Sequence, residues 1–136
     1  MLKMQFKLLV ITMLLVVSGT CAGEVVVIGH PNLNKMDATI IQKIFMGKVI
    51  EVGGLYITAI NLKPSPLREH FLQAFLKQDD DKYTAYWMVR RYIGKGLPPR
   101  ELASPAEVVT FIQATPGAIG YIDERDLKPG LNVIAR

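Results

Sequence analysis

The 136-residue chain has one cysteine, Cys21, and two histidines, His30 and His70. A lone cysteine cannot close a disulfide within the chain, and these few thiol and imidazole groups match no zinc-binding spacing. The sequence also lacks a glycine-rich phosphate loop and a nucleophile elbow. We therefore predict a protein that is not an enzyme and that carries neither a metal ion nor a cofactor.

The first 22 residues have the order of features that a secretory signal peptide requires. Lys3 and Lys7 precede a ten-residue apolar run at 8–17, and small residues follow it. That run is shorter than the ~20 residues that span a bilayer. We expect cleavage near Ala22 and a periplasmic or secreted protein. Two alternatives stay open: an uncleaved membrane anchor, and lipid attachment at Cys21, whose lipobox register is off by one residue.

The charge of the chain is nearly balanced once the signal segment is set aside. The formal net charge is +4, but residues 23–136 carry 14 basic and 12 acidic side chains. Such a balance gives no electrostatic footprint for nucleic acid. At 50% hydrophobic content, this length suffices for one domain with its own core, and we place that domain at 23–136.

Strand and helix patterns alternate along residues 23–136. Apolar β-rich runs predict strands at 24–29, 55–62, 118–122 and 131–134. Helices are expected after the N-cap residues Asp37, Ser65 and Ser104, and a further helix at about 82–93. The fold class that this order predicts is α/β, with a small mixed sheet and helices on both faces.

Four polar residues are candidates for binding an anion. Ser65 begins a helix, whose first N–H groups suit a phosphate or carboxylate, and Arg68 one turn later adds a guanidinium. His30 and Asn32 follow the first strand, where open α/β sheets place ligands. The alternatives are that Ser65 only caps its helix, that Arg68 faces water, and that His30 hydrogen-bonds its own loop.

Three segments resemble the substrate-binding proteins of phosphate ABC transporters. Residues 44–48 (Ile-Phe-Met-Gly-Lys) and 115–121 (Thr-Pro-Gly-Ala-Ile-Gly-Tyr) match motifs of that family, and the second is the more specific. Between them, residues 65–69 stand where the family begins a helix over its bound anion. The resemblance implies a single lobe of the type II periplasmic-binding-protein fold, since full members have two lobes and more than twice this mature length.

The same resemblance implies a function and a set of site residues. It implies an extracytoplasmic solute-binding protein for a small oxyanion such as phosphate, associated with ABC-type transport or sensing and with a membrane transporter or sensor as partner. The implied ligand-binding residues are Ser65, Arg68, His30, Asn32 and Gly117. Nucleic-acid binding and stable membrane insertion after signal removal are not expected.

The sequence departs from the family pattern at the implied anion site. The family's hydroxyl-rich helix start is replaced by a stretch in which Pro64 and Pro66 each remove a backbone donor. The first-strand loop, also hydroxyl-rich in the family, is His30-Pro31-Asn32 here. A desolvated anion left without donors is costly. The alternative hypothesis is therefore an interaction module with a vestigial cleft, which docks on a membrane sensor or transporter subunit.

Overall fold

A computed structural model describes residues 23–136, so the predicted signal segment, its cleavage site and Cys21 lie outside the described residues. The elements in chain order are β1 (Val25–Gly29), α1 (Ala38–Phe45), β2 (Glu51–Val52), β3 (Leu55–Tyr56), β4 (Thr58–Leu62), α2 (Pro66–Phe71), α3 (Asp80–Tyr92), β5 (Arg100–Leu102), α4 (Pro105–Ala114), β6 (Ala118–Asp123) and β7 (Asn132–Ala135). A π-helical turn, Leu72–Leu76, continues α2, and a 3₁₀ turn, Glu124–Asp126, follows β6.

Five strands form a mixed sheet in the order β5-β4-β6-β1-β7. Strand β4 runs parallel to β5 and β6, whereas β1 runs antiparallel to β6 and β7. We call the end of the sheet where β4, β5 and β6 finish the carboxyl edge. The opposite end, where β4 and β6 begin and β1 finishes, is the amino edge. The mixed sheet and its helices confirm the predicted α/β fold class.

Helices cover both faces of this sheet. Gly120 of β6 faces Ile112 of α4. A Cβ added to Gly120 would lie 3.0 Å from Ile112 Cδ1. The next residue, Tyr121, stacks on Phe71 of α2 with ring centroids 3.9 Å apart. Because successive strand residues point to opposite faces, α4 and α2 lie on opposite sides of the sheet.

The predicted N-caps are confirmed. The side chains of Asp37, Ser65 and Ser104 accept from the backbone N–H three residues further on, at 2.9, 3.1 and 3.2 Å. Each cap satisfies one of the helix-start donors that have no partner within the helix. Each of these three helix starts is therefore stabilised by a bond between residues only three positions apart.

Three details differ from the sequence prediction. The strand predicted at 55–62 is divided, because Leu55–Tyr56 pairs with Glu51–Val52 as a hairpin and β4 starts only at Thr58. Strand β5 was not predicted, since its three residues have no apolar pattern. The helix predicted at about 82–93 runs from Asp80 to Tyr92, and Ile93 just after it is 55% exposed.

The core lies on both sides of β1 and β6, whose residues are all buried. Phe45, Phe71 and Tyr121 are its largest fully buried side chains. In the part of the chain from 23 to 136, no helix has the length and apolarity needed to cross a membrane.

Candidate functional site

Arg68 is buried at the carboxyl edge and joins three elements. It is 3% exposed, and its Nε donates to Asp80 Oδ1 of α3 at 2.7 Å. Its Nη1 donates to Glu101 Oε1 of β5 at 2.8 Å and to the Leu62 carbonyl oxygen of β4 at 2.9 Å. The guanidinium therefore already has anionic partners from the chain itself.

The electrostatics of this cluster favour the charged arginine. Burial alone disfavours the charge, but the hydrogen bonds and charges of Glu101 and Asp80 outweigh it and raise the pKa of Arg68. Because two carboxylates neutralise the guanidinium, a further anion would meet their negative charge at close range. The alternative that Arg68 faces water is wrong, and the arginine is held by an internal ion-pair cluster.

Ser65 lies at the same edge and caps α2. Its Oγ accepts from the backbone N–H of Arg68 at 3.1 Å. The flanking Pro64 and Pro66 have no N–H to offer a ligand. Lys63 is exposed beside this end, and its backbone N–H donates to the Leu102 carbonyl oxygen at 3.0 Å. The helix start thus retains few of the donors that surround a desolvated oxyanion.

His30, Asn32 and Gly117 form a second group at the amino edge. The backbone N–H of Asn32 donates to His30 Nδ1 at 3.1 Å, and the N–H of Gly117 donates to Asn32 Oδ1 at 3.2 Å. The His30 N–H donates to the Ala118 carbonyl oxygen at 2.9 Å. These bonds fix the loop after β1 against the loop before β6.

The expectation that Ser65, Arg68 and His30 form one open anion site is wrong. It assumed that β1 and β4 finish at the same end of the sheet, but β1 runs antiparallel to β6, which is parallel to β4. The five residues of β4 separate the two groups by roughly 13 Å along the strand. His30 and Asn32 therefore lie at the opposite edge from Ser65 and Arg68.

Gly117 has a structural reason to be glycine. Its φ is +77°, in the left-handed region, and a Cβ there would lie 2.1 Å from the Tyr56 carbonyl oxygen. Close approach of two backbones and a positive φ both require glycine. The Thr-Pro-Gly-Ala-Ile-Gly-Tyr segment thus contains at least one residue whose identity the fold alone explains.

Sequence reasoning missed Asp80 and Glu101 as partners of Arg68. Asp80 lies in a run of three aspartates at 79–81 and is the first residue of α3. Glu101 lies in the unpredicted strand β5, 33 residues from Arg68. A buried arginine needs anionic partners, but nothing in the sequence identifies which carboxylates supply them.

A buried hydroxyl network lies behind the arginine. Asn61 Nδ2 donates to Tyr83 Oη at 3.2 Å, and the Tyr121 hydroxyl donates to Asn61 Oδ1. Tyr83 donates to the Phe45 carbonyl oxygen at 3.1 Å. Burial raises the pKa of Tyr83 to about 12 and also raises the pKa of Tyr121. Both hydroxyls are neutral donors, and the network links β4 to α1, α3 and β6.

An open groove of about 760 Å³ lies next to this edge, between β5 and α4. Its charged lining residues are Lys63, Arg100, Glu101 and Glu107. Arg100 also stacks over the Phe111 ring, with Cζ 5.5 Å from the centroid. Two basic and two acidic side chains leave the groove without a positive field that would select a small anion.

No family model matches the sequence, and no curated protein matches it. The structure is similar to the crystal structure of an ABC-type phosphate transport receptor from Vibrio cholerae, with a TM-score of 0.62 and 13% sequence identity. The match covers 82% of this chain and 45% of the receptor, so the chain spans less than half of the receptor's length. This likeness shows that the chain has a periplasmic-binding-protein-like fold.

Proposed function

We propose that this chain is a non-enzymatic, extracytoplasmic interaction module with the fold of a solute-receptor lobe and a vestigial ligand cleft. It docks on a membrane transporter or sensor subunit. The observation that carries this proposal is the Arg68 cluster, in which Asp80 and Glu101 occupy the guanidinium at 2.7 and 2.8 Å. A receptor arginine that serves an anionic ligand needs a free donor pair, whereas the Nε and Nη1 donors of Arg68 are engaged internally.

The single lobe that residues 23–136 form is consistent with the same proposal. Periplasmic binding proteins enclose a ligand by closing two lobes around a hinge. Enclosure of a solute by this lobe therefore needs a second surface, and docking of that surface would come before solute binding.

Binding of a small oxyanion such as phosphate is the second candidate function. It is favoured by the likeness to a phosphate transport receptor and by the position of half-buried Ser65, beside exposed Lys63, at the carboxyl edge. In that case the protein would serve ABC-type phosphate transport or sensing, with an open site at the start of α2. The two candidate functions make opposite predictions about phosphate binding by the isolated protein.

Calorimetric titration and thermal unfolding with phosphate, and with sulfate as the comparison anion, separate the two candidates. A ligand present at a hundred times its Kd stabilises the native state by about 2.7 kcal/mol. That is a rise in Tm of about 10 °C for a domain of this size. The docking proposal predicts no saturable heat and no anion-specific rise in Tm. A saturable phosphate isotherm would establish the second candidate instead.

Docking itself is tested by a photo-crosslinking amino acid placed at one exposed position per surface. Suitable positions are Pro64 at the carboxyl edge, Thr110 in the open groove and Asn32 at the amino edge. The proposal predicts an adduct with one membrane protein in the native cells, from one surface and not from the others. Equal yields from all three positions, or no adduct from any of them, would contradict it.

A further inference from the structure

The exposed apolar side chains of this protein are concentrated in two segments. Among residues 23–136, the large apolar side chains that remain exposed all lie at 50–56 or 88–97. They are Ile50, Leu55, Tyr56, Met88, Val89, Tyr92, Ile93 and Leu97. Scattered exposed apolar residues need no explanation, but this clustering marks an interaction surface.

The second segment, residues 88–97, forms a protruding surface that we call the α3 tip. Tyr83 and Trp87 are buried on the inner side of α3, whereas Met88 and Tyr92 point outward one turn apart, and Tyr92 is 91% exposed. Every residue from 91 to 98 is exposed, and Leu97 is 72% exposed. Exposed apolar side chains thus follow one another at the carboxyl end of α3 and in the loop after it.

The α3 tip carries only positive charge. Residues 88–97 contain three basic side chains, Arg90, Arg91 and Lys95, and no aspartate or glutamate, whereas the rest of 23–136 carries 11 basic and 12 acidic side chains. Arg90 is engaged with the protein, since it lies over the Trp87 ring and its Nη2 donates to the Gly47 carbonyl oxygen at 3.3 Å. Arg91 and Lys95 are exposed. A second copy of the same surface would be repelled, so the charge favours an anionic occupant.

The shape of the surface favours a flat occupant over an inserted protein segment. Two small open cavities of about 210 and 230 Å³ lie beside the tip and share Trp87, Pro98 and Pro99. One turn of a helix with side chains fills roughly 400 Å³, so neither cavity accepts a helix. Exposed apolar side chains interleaved with basic ones are features by which peripheral proteins engage a lipid interface.

We propose that the α3 tip adsorbs to membrane surfaces that contain anionic phospholipid. Tyr92, Ile93 and Leu97 enter the headgroup region, while Arg91 and Lys95 pair with lipid phosphates. This is adsorption at the interface and not a membrane span. It is independent of the protein partner in the proposed function, and it would hold a docking module at the membrane where such a partner resides.

Sedimentation with lipid vesicles tests this proposal on the purified protein. We expect binding to vesicles of equal parts phosphatidylglycerol and phosphatidylcholine, weakened by salt, and little binding to phosphatidylcholine alone. Each basic residue near an anionic surface contributes about fivefold to the partition coefficient. Arg91→Gln with Lys95→Gln should therefore lower binding by about 25-fold. The double variant Tyr92→Ser with Leu97→Ser should also lower binding to the same vesicles.

The matched control is Lys35→Gln with Lys128→Gln, which removes the same charge from exposed positions away from the α3 tip. This control should bind vesicles far more tightly than the tip variant. All three double variants change exposed side chains, and unchanged thermal unfolding would show that they remain folded. Equal loss in the control and the tip variant, or no preference for phosphatidylglycerol, would overturn the proposal. Absence of binding to the phosphatidylglycerol vesicles would also overturn it. A protein adduct from a photo-crosslinking amino acid at position 92 would then identify a protein as the occupant.

Discussion

Glu101 accepts a hydrogen bond from Arg68 across 33 residues of chain, with 2.8 Å between Oε1 and Nη1. The arginine side chain is 4% exposed, while the glutamate side chain is 45% exposed. The pair therefore joins a buried cation to a carboxylate that water still reaches. Because water still reaches Glu101, the fold should tolerate loss of the glutamate better than loss of the buried arginine. The engagement of Arg68 by this carboxylate supports the proposal that the ligand cleft is vestigial.

Removing both carboxylates should cost much more than removing either one. Asp80→Asn and Glu101→Gln should each cost about 1.5 kcal/mol, because one anionic partner remains on Arg68. The double variant leaves a buried charge with neutral partners and should cost about 5 kcal/mol. This exceeds the sum of the two single costs, and the excess measures the coupling between the two carboxylates. Urea unfolding at neutral pH measures these values.

The control for this series is the exposed pair of Arg136 and Glu124, whose side chains are 55% and 42% exposed. Glu124→Gln should change the free energy of unfolding by less than about 1 kcal/mol, because solvent screens the pair. Additive effects of the Asp80 and Glu101 substitutions would show that the arginine does not depend on them jointly.

The hydroxyl of Ser65 should act only as a helix cap. Ser65→Ala should cost about 1 kcal/mol, with the same cost in the presence and absence of phosphate. Ser104→Ala is the matched control, because Ser104 caps α4 through the same bond to the residue three positions on. Urea unfolding with and without phosphate checks this. A cost that grows with phosphate for Ser65 alone would show that Ser65 contacts the anion.

Gly117 should tolerate alanine much less well than Gly130. Both have a positive φ, +77° and +91°, so each substitution incurs about 1–2 kcal/mol of backbone strain. At Gly130 nothing lies within 4 Å of the added Cβ, whereas at Gly117 the Tyr56 carbonyl oxygen lies 2.1 Å away. Gly117→Ala should cost about 1–3 kcal/mol more, measured by thermal or urea unfolding. Equal losses of unfolding free energy in the two alanine variants would show that the backbones of Gly117 and Tyr56 do not approach this closely.

Alkaline pH should destabilise the protein through Tyr83 and Tyr121. Their pKa values are raised by burial, that of Tyr83 to about 12, so between pH 10 and 12 the unfolded chain loses these protons first. The unfolded state then binds fewer protons, and stability falls with pH by up to about 1.4 kcal/mol per unit for each tyrosine. This contribution is fully present below pH 10.

Urea midpoints between pH 8 and 11.5 measure that slope. Tyr83→Phe should flatten it, although loss of its hydrogen bonds lowers stability at neutral pH by about 1 kcal/mol. Tyr121→Phe, at the other buried tyrosine whose pKa is raised, should flatten it as well. An equally steep slope in Tyr83→Phe would show that other groups cause the alkaline loss.

Local signals in the sequence predicted most of the fold. Asp37, Ser65 and Ser104 each identified a helix start, because a cap depends on residues only three positions apart. The apolar runs of β1 and β6 identified buried strands in the same way. Strand β5 escaped prediction because its Arg-Glu-Leu sequence becomes a strand only through pairing with β4.

The site was predicted less well, because it depends on contacts between distant residues. The sequence placed His30 after a strand and Ser65 after another, but strand direction is a property of the whole sheet. Once β1 is antiparallel to β6, the two residues fall at opposite edges. Likewise, the partners of Arg68 are 12 and 33 residues away, and no local pattern specifies them.

The most direct test of the central claim observes the Arg68 guanidinium while phosphate is added. In a ¹⁵N-labelled protein, the Nε–H signal of Arg68 reports the bond to Asp80, which is 2.7 Å long. The account predicts that this signal keeps its position as phosphate is raised to millimolar concentration, with sulfate giving the same result. A saturable, phosphate-specific shift of that signal would show that the anion displaces the internal carboxylates, and it would contradict the account.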